Sequence, residues 1–315
     1  MNKLLTNIYN RNFIQKQIEY SKRLVLPGFE GIPLFEVLEF LFKGLQKSSL
    51  TTRASSLAFR FFLALFPMII FLLSLLPYIP IQDFYDKLLL ILEELLPHEA
   101  FKTSVETIDD LFNKKHNTLL SFGFLFALYL ASDGVNAMIL AFQNAYHNPK
   151  PASFLKQRST SLLLLLILTI LMVLAVGLIV FSGVIISFLI SNGFMTDGIS
   201  VVLLNVANMI ILLFIFLLGI SSIYYFGSME YKRFKFISAG STLAALLTIL
   251  LSFGFAFYVN NFASYNKVYG SIGTLIVIML WLYFNSLVLL IGYELNASIK
   301  HAKEVKSNKN KTEIL

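Results

Sequence analysis

Tyr265 to Ala297 reads YNKVYGSIGTLIVIMLWLYFNSLVLLIGYELNA, and its three zones decide what kind of chain this is. A polar, glycine-containing turn opens it, an apolar run follows from Ile272 to Ile291, and a carboxylate, Glu294, lies just beyond. At ~1.5 Å of helical rise per residue that run matches a hydrocarbon core of ~30 Å. Trp281 and Asn285, four apart, share a helical face with Gly292 and Asn296, while Glu294 points to roughly the opposite side. The stretch is therefore a membrane-crossing helix with a polar stripe, a glycine where another backbone can come close, and an acid at its end.

The remainder of the 315 residues agrees. With 57% hydrophobic and 14% charged residues and a mean hydropathy of +0.74, the chain departs from soluble domains, which run at about 45–50% apolar and about 25% charged. The absence of cysteine excludes disulfides, thiolate nucleophiles and cysteine-held zinc or iron–sulfur centres. The net charge of +7 suggests nucleic acid until its distribution is considered. It gathers where the cytoplasmic loops of a membrane protein belong. No cleavable signal precedes the first apolar helix, which must itself direct insertion.

The expectation is an all-α, polytopic membrane protein with six transmembrane helices at about 57–77, 119–142, 162–190, 199–226, 237–259 and 272–291. Residues 1–56 form a cytoplasmic segment with a PGFEG turn at Pro27–Gly31 and an amphipathic helix from Pro33, apolar at Leu34, Leu38, Leu41, Phe42 and Leu45. Too short to span, that helix either lies on the membrane surface or packs on the ends of its own bundle. Residues 57–299 make the membrane domain, and residues 300–315 a lysine-rich cytoplasmic tail expected to be disordered. The long connection from Pro80 to Thr118 repeats apolar residues at helical spacing and carries eight acids against four bases, predicting two short acidic helices over the outer mouth. Twenty of the 25 Lys and Arg fall on the side of the two termini and five on the other, which places both termini in the cytoplasm.

Polar residues inside the spans are the functional candidates. Asp133 is the one acid deep in an apolar segment, and Tyr129, Asn136 and Gln143 fall on its side of the helix. Asn205 and Asn208 lie three apart in the fourth span and Asn285 in the sixth; Arg60 stands at the entrance of the first, where a long side chain can snorkel to head groups. Such groups mark solute pathways or simple interhelical hydrogen bonds. Glu294 reads as a solvated or Arg/Lys-paired carboxylate, or as a coupling acid. Ser241, Ala245, Thr248, Ser252 and Ala256 form a small-residue stripe for close helix packing.

Three segments carry a family resemblance: SSLAFRFFLALFPMIIFLLSLLP, LASDGVNAMILAFQNAY, and NNFASYNKVYGSIGTLIVIMLWLYFNSLVLLIGYELNA. They resemble the YihY/BrkB family of bacterial inner-membrane proteins, formerly labelled ribonuclease BN in error, over about Arg53 to Ala297. The motif that carries it is Tyr269, Gly270, Ser271 and Gly273 in the turn, Trp281 in the helix, and Gly292, Glu294 and Asn296 at its end; Tyr293 stands where the family usually has a smaller residue. The resemblance implies a six-helix bundle in the bacterial inner membrane, and envelope or lipid-related transport.

Function then divides three ways. A transporter, or an aid to transbilayer movement, would use Asp133, Asn136, Asn205, Asn208, Asn285 and Arg60 to line a polar route for a lipid or other amphipathic solute. A scaffold would recruit envelope partners without moving anything. A ribonuclease needs clustered acids or paired histidines, and His98, His116, His147 and His301 are scattered. The chain is read as no enzyme, with no metal or cofactor, with membrane lipids as partners and no nucleic acid.

Overall fold

The computed structural model describes residues 12–47, 49–75, 105, 117–143, 153–191, 198–229, 235–261 and 271–312. Eight α-helices run through them: α1 Asn12–Arg23, α2 Leu34–Lys47, α3 Leu50–Leu75, α4 Asn117–Gln143, α5 Phe154–Ser191, α6 Ile199–Gly227, α7 Ala239–Asn261 and α8 Ser271–Thr312. No strand occurs among the described residues. Among the described residues five stretches are long and apolar enough to cross a membrane, Gly123–Gln143, Phe154–Ile179, Leu204–Gly227, Ala239–Val259 and Leu275–Asn308. The sixth expected span falls on the 26-residue α3, which continues through Pro67 to Leu75. The protein is an all-α, polytopic membrane protein; the acidic loop over 80–118 lies, Val105 apart, outside the described residues until α4 begins.

The chain forms two compact units, Met1–Phe59 with Val135–Leu315, and Arg60–Gly134. In the larger unit burial gathers at one end of the helices, around residues 135–142, 220–229, 239–245 and 290–302. Farther along the same helices, Leu166, Val173 and Phe181 on α5, Met209 and Phe214 on α6, and Leu250, Phe253 and Phe257 on α7 are exposed. A lipid-facing surface presents such residues, because hydrocarbon does not penalise them.

Two boundaries differ from the sequence reading. Residues 154–160, expected to be loop, are the first turns of α5. Pro151 cannot continue a helix backward, but nothing after it prevents one. Lys156 there donates to the Met229 carbonyl at the end of α6 at 2.8 Å, a favourable place for a cation beside orphan helix carbonyls. The expected disordered tail is likewise helical to Thr312, as part of α8. After Gly292 no glycine or proline interrupts the run, so no stop signal ends it.

The tail helix is also packed. Leu295, Ile299 and Ala302 of α8 form one apolar cluster with Phe29, Ile32, Val37 and Leu41, and burying each large side chain contributes about 1.5–3 kcal/mol. The PGFEG turn makes this reachable. Gly28 and Gly31 take φ of 86° and 83°, which glycine adopts without steric cost, and the Leu34 amide closes the loop onto the Leu24 carbonyl at 2.8 Å. Part of α2 therefore packs on its own protein, with Phe40 edge-on to His301 at 5.0 Å.

Candidate functional site

Residues 289–296 of α8 hold the larger unit together. Gly292 faces Gly240 of α7 so closely that a Cβ on Gly292 would lie 2.7 Å from the Gly240 carbonyl oxygen and 2.8 Å from Ala244 Cβ. Only a glycine pair permits that backbone approach. One turn on, Asn296 caps α7 from outside: its Oδ1 accepts from the Gly240 amide at 2.8 Å, and its Nδ2 donates to Ser238 Oγ at 2.8 Å. An N-cap is normally supplied by the capped helix itself; here Ser238 and Asn296 share the task. Tyr224 of α6 donates to the Leu289 carbonyl at 2.7 Å. Tyr293 stacks on Phe142 with ring centroids 4.2 Å apart and planes 2° from parallel, so its larger ring is absorbed by α4.

Glu294 leaves the other side of α8 and accepts from Arg53 Nη1 at 2.9 Å, with side chains 0% and 8% exposed. Burying both charges is expensive, so this pair fixes where α3 meets α8 more than it adds net stability.

In the smaller unit, Arg60 Nη1 donates to Asp133 Oδ2 at 2.7 Å. Next to Asp133, a Cβ on Gly134 would stand 3.1 Å from the Phe61 ring, so the Asp-Gly pair lets α4 come near enough to α3 for Arg60 to reach. The side chains stay 40% and 28% exposed. Arg60 lies ten residues into α3 from Leu50, and Asp133 ten residues before the end of α4 at Gln143. Counted instead from the ends of the apolar spans at 57 and 142, Arg60 lies three residues in and Asp133 nine, or ~4.5 Å and ~14 Å.

Of the residues singled out in the spans, the structure brings together Arg60 and Asp133. Arg60 does not snorkel; its guanidinium turns to the carboxylate, which offers a charge that the hydrocarbon does not. Asn136 Oδ1 is buried without a hydrogen-bond partner among the described residues. Gln143 accepts from Gln157 of α5 at 3.1 Å. Asn285 donates to the Trp281 carbonyl of its own helix at 2.8 Å, and Asn205 is exposed while Asn208 is half-buried. Tyr269 and Gly270 lie outside the described residues; Gly273 is buried and Trp281 exposed. Arg53 was missed as a site residue, although its spacing of seven from Arg60 puts both arginines on one helical face. No three His, Asp or Glu side chains converge in metal-binding fashion among the described residues.

The family profile described as Virulence factor BrkB matches residues 41–314. The chain is 31% identical over 261 residues to the Putative ribonuclease-like protein YfkH of Bacillus subtilis (strain 168), covering 81% of this chain and 91% of that protein. It is 27% identical over 268 residues to a UPF0761 membrane protein of Aeromonas salmonicida (strain A449), covering 83% and 88%. A UPF0761 membrane protein of Tolumonas auensis matches over a shorter stretch, 38% identical across 69 residues, 22% of this chain and 23% of its own. No solved structure matches. A match across nearly the whole helical body, together with five membrane-length apolar helices among the described residues, identifies the chain as an integral membrane protein of the BrkB family.

Proposed function

We propose that the protein transports, or assists the transbilayer movement of, a lipid or other amphipathic solute across the bacterial inner membrane, with its two termini in the cytoplasm. The observation that carries this reading is the Arg60–Asp133 pair, half-exposed, with its carboxylate ~14 Å inside the end of the second apolar span. Exposed charge at that depth costs several kcal/mol against lipid, so the pair's surroundings must be polar. A polar head group is stabilised by such a dipole. The ribonuclease-like label of the Bacillus subtilis relative is not adopted for this chain. A hydrolytic site needs acids free to bind metal or move protons, whereas Asp133 and Glu294 are each committed to an arginine.

The test is translocation of a fluorescent phospholipid in proteoliposomes, comparing wild type, Asp133→Asn, Arg60→Gln and the exchanged pair Arg60→Asp/Asp133→Arg. Each single variant is expected to lose at least tenfold in rate and the exchanged pair to recover part of it. Wild-type protein no faster than empty liposomes, or an Asp133→Asn variant as fast as wild type, would sink the reading.

A further inference from the structure

The apolar arc of α2 is wider than its protein contact. Val37 and Leu41 are buried against α8, but Leu38 and Phe42, at roughly 60° and 100° round the helix from Leu41, stay 37% and 62% exposed. Phe35, one heptad before Phe42, continues the same ridge, and the Lys22 ammonium of α1 sits 5.3 Å from its ring. Lys22 and Arg23 close the last turn of α1 with two exposed cations. The polar side of α2 lies beyond the ridge, with Glu39 and Lys43 paired at 2.6 Å and Gln46 exposed.

Two ties set the level of this helix. Just before it, Glu30 accepts from Lys303 at 2.5 Å; just after it, Arg53 binds Glu294. The two tie points on α8 are nine residues or ~13 Å apart, and they bracket the α2 contact at Leu295, Ile299 and Ala302. That contact begins at Leu295, four residues or ~6 Å beyond the apolar run that ends at Ile291. A head-group layer occupies about 5–7 Å on each side of the hydrocarbon. α3 starts three residues after α2 and also exposes an aromatic side chain, Phe59.

We propose that the Phe35–Leu38–Phe42 ridge of α2 inserts into the head-group boundary of an anionic leaflet, with Lys22 and Arg23 on the lipid phosphates. α2 is then a surface-lying helix that packs on α8 with one half of its apolar arc and on lipid with the other. An aromatic ridge on α2 flanked by the cations of α1 has the chemistry of an interfacial anchor, and its action is independent of what the protein moves.

The chain has no cysteine, so single substitutions give unique labelling positions. Spin labels at Leu38→Cys, Phe42→Cys, Lys43→Cys and Gln46→Cys would be read in vesicles of phosphatidylglycerol and phosphatidylethanolamine. The probes are oxygen, which partitions into lipid, and a nickel chelate, which stays in water. Labels at 38 and 42 are expected to relax at least threefold more with oxygen relative to nickel than labels at 43 and 46, and this ratio should fall when phosphatidylcholine replaces phosphatidylglycerol. A label at 42 as nickel-accessible as the label at 43 overturns the proposal. So does a label at 42 shielded from both probes, which would mean a second copy or another protein covers the ridge. An oxygen ratio indifferent to lipid charge overturns the role given to Lys22 and Arg23.

Discussion

Glu294 has no exposed surface and holds Arg53 at 2.9 Å, so it has more to lose from a one-atom change than any other acid of the described chain. Glu294→Gln keeps the shape and removes the charge, leaving a guanidinium buried beside a neutral amide. The expected cost is about 3–5 kcal/mol, read as a lowered melting temperature in detergent. Arg53→Met with Glu294→Gln should recover most of the loss, since the desolvation penalty then disappears with the charges. A single variant that melts like wild type would show the pair to be dispensable. Asp133→Asn should behave in the opposite way: half-exposed pairs contribute on the order of 0–1 kcal/mol, so melting should hardly move while translocation falls. That Asp133 must avoid lipid was legible from its neighbours on the helix. That its partner is Arg60 was not, because the two are 73 positions apart and no local periodicity links them.

At the scale of elements, the crossing of α7 and α8 is the tightest feature described. Gly240 and Gly292 meet where Cβ atoms have no room, and Asn296 ties the start of α7 to the same turn. Gly292→Ala is expected to force the two backbones apart, costing about 1–3 kcal/mol by overpacking, again measured as a fall in melting temperature. An unchanged melting temperature would mean that the crossing has slack the contacts do not show. The small-residue stripe of α7 was readable as a packing face, but it buries only Ser241 and Ala245 at one end, while Ser252 and Ala256 are exposed. Composition says where a helix permits close approach; the partner's length and crossing angle say how far along that approach lasts. The same holds for α2, whose amphipathic pattern left open whether protein or lipid covers it. The structure assigns Val37 and Leu41 to protein and leaves Leu38 and Phe42 uncovered.

At the scale of the molecule, charge asymmetry and helix length together make a claim about sidedness. With twenty Lys and Arg on one side and five on the other, the charge asymmetry predicts a cytoplasmic tail half for α8. A Ser307→Cys variant should resist a membrane-impermeant maleimide in intact cells and react after permeabilisation; labelling from outside would reverse the topology. Hydrophobic periodicity and length were enough to determine the all-α membrane class, because a bilayer accepts few backbone solutions and all of them leave long apolar runs in the sequence. The motif around Gly292, Glu294 and Asn296 likewise named the family. Only the tertiary structure decided what those three residues do, since a helix crossing, a buried ion pair and a cap supplied by another helix each depend on groups tens to hundreds of positions away. It also decided that α8 stays packed as far as Ala302 and helical to Thr312, because the apolar faces that hold Ile299 and Ala302 come from residues 29–41, at the opposite end of the chain.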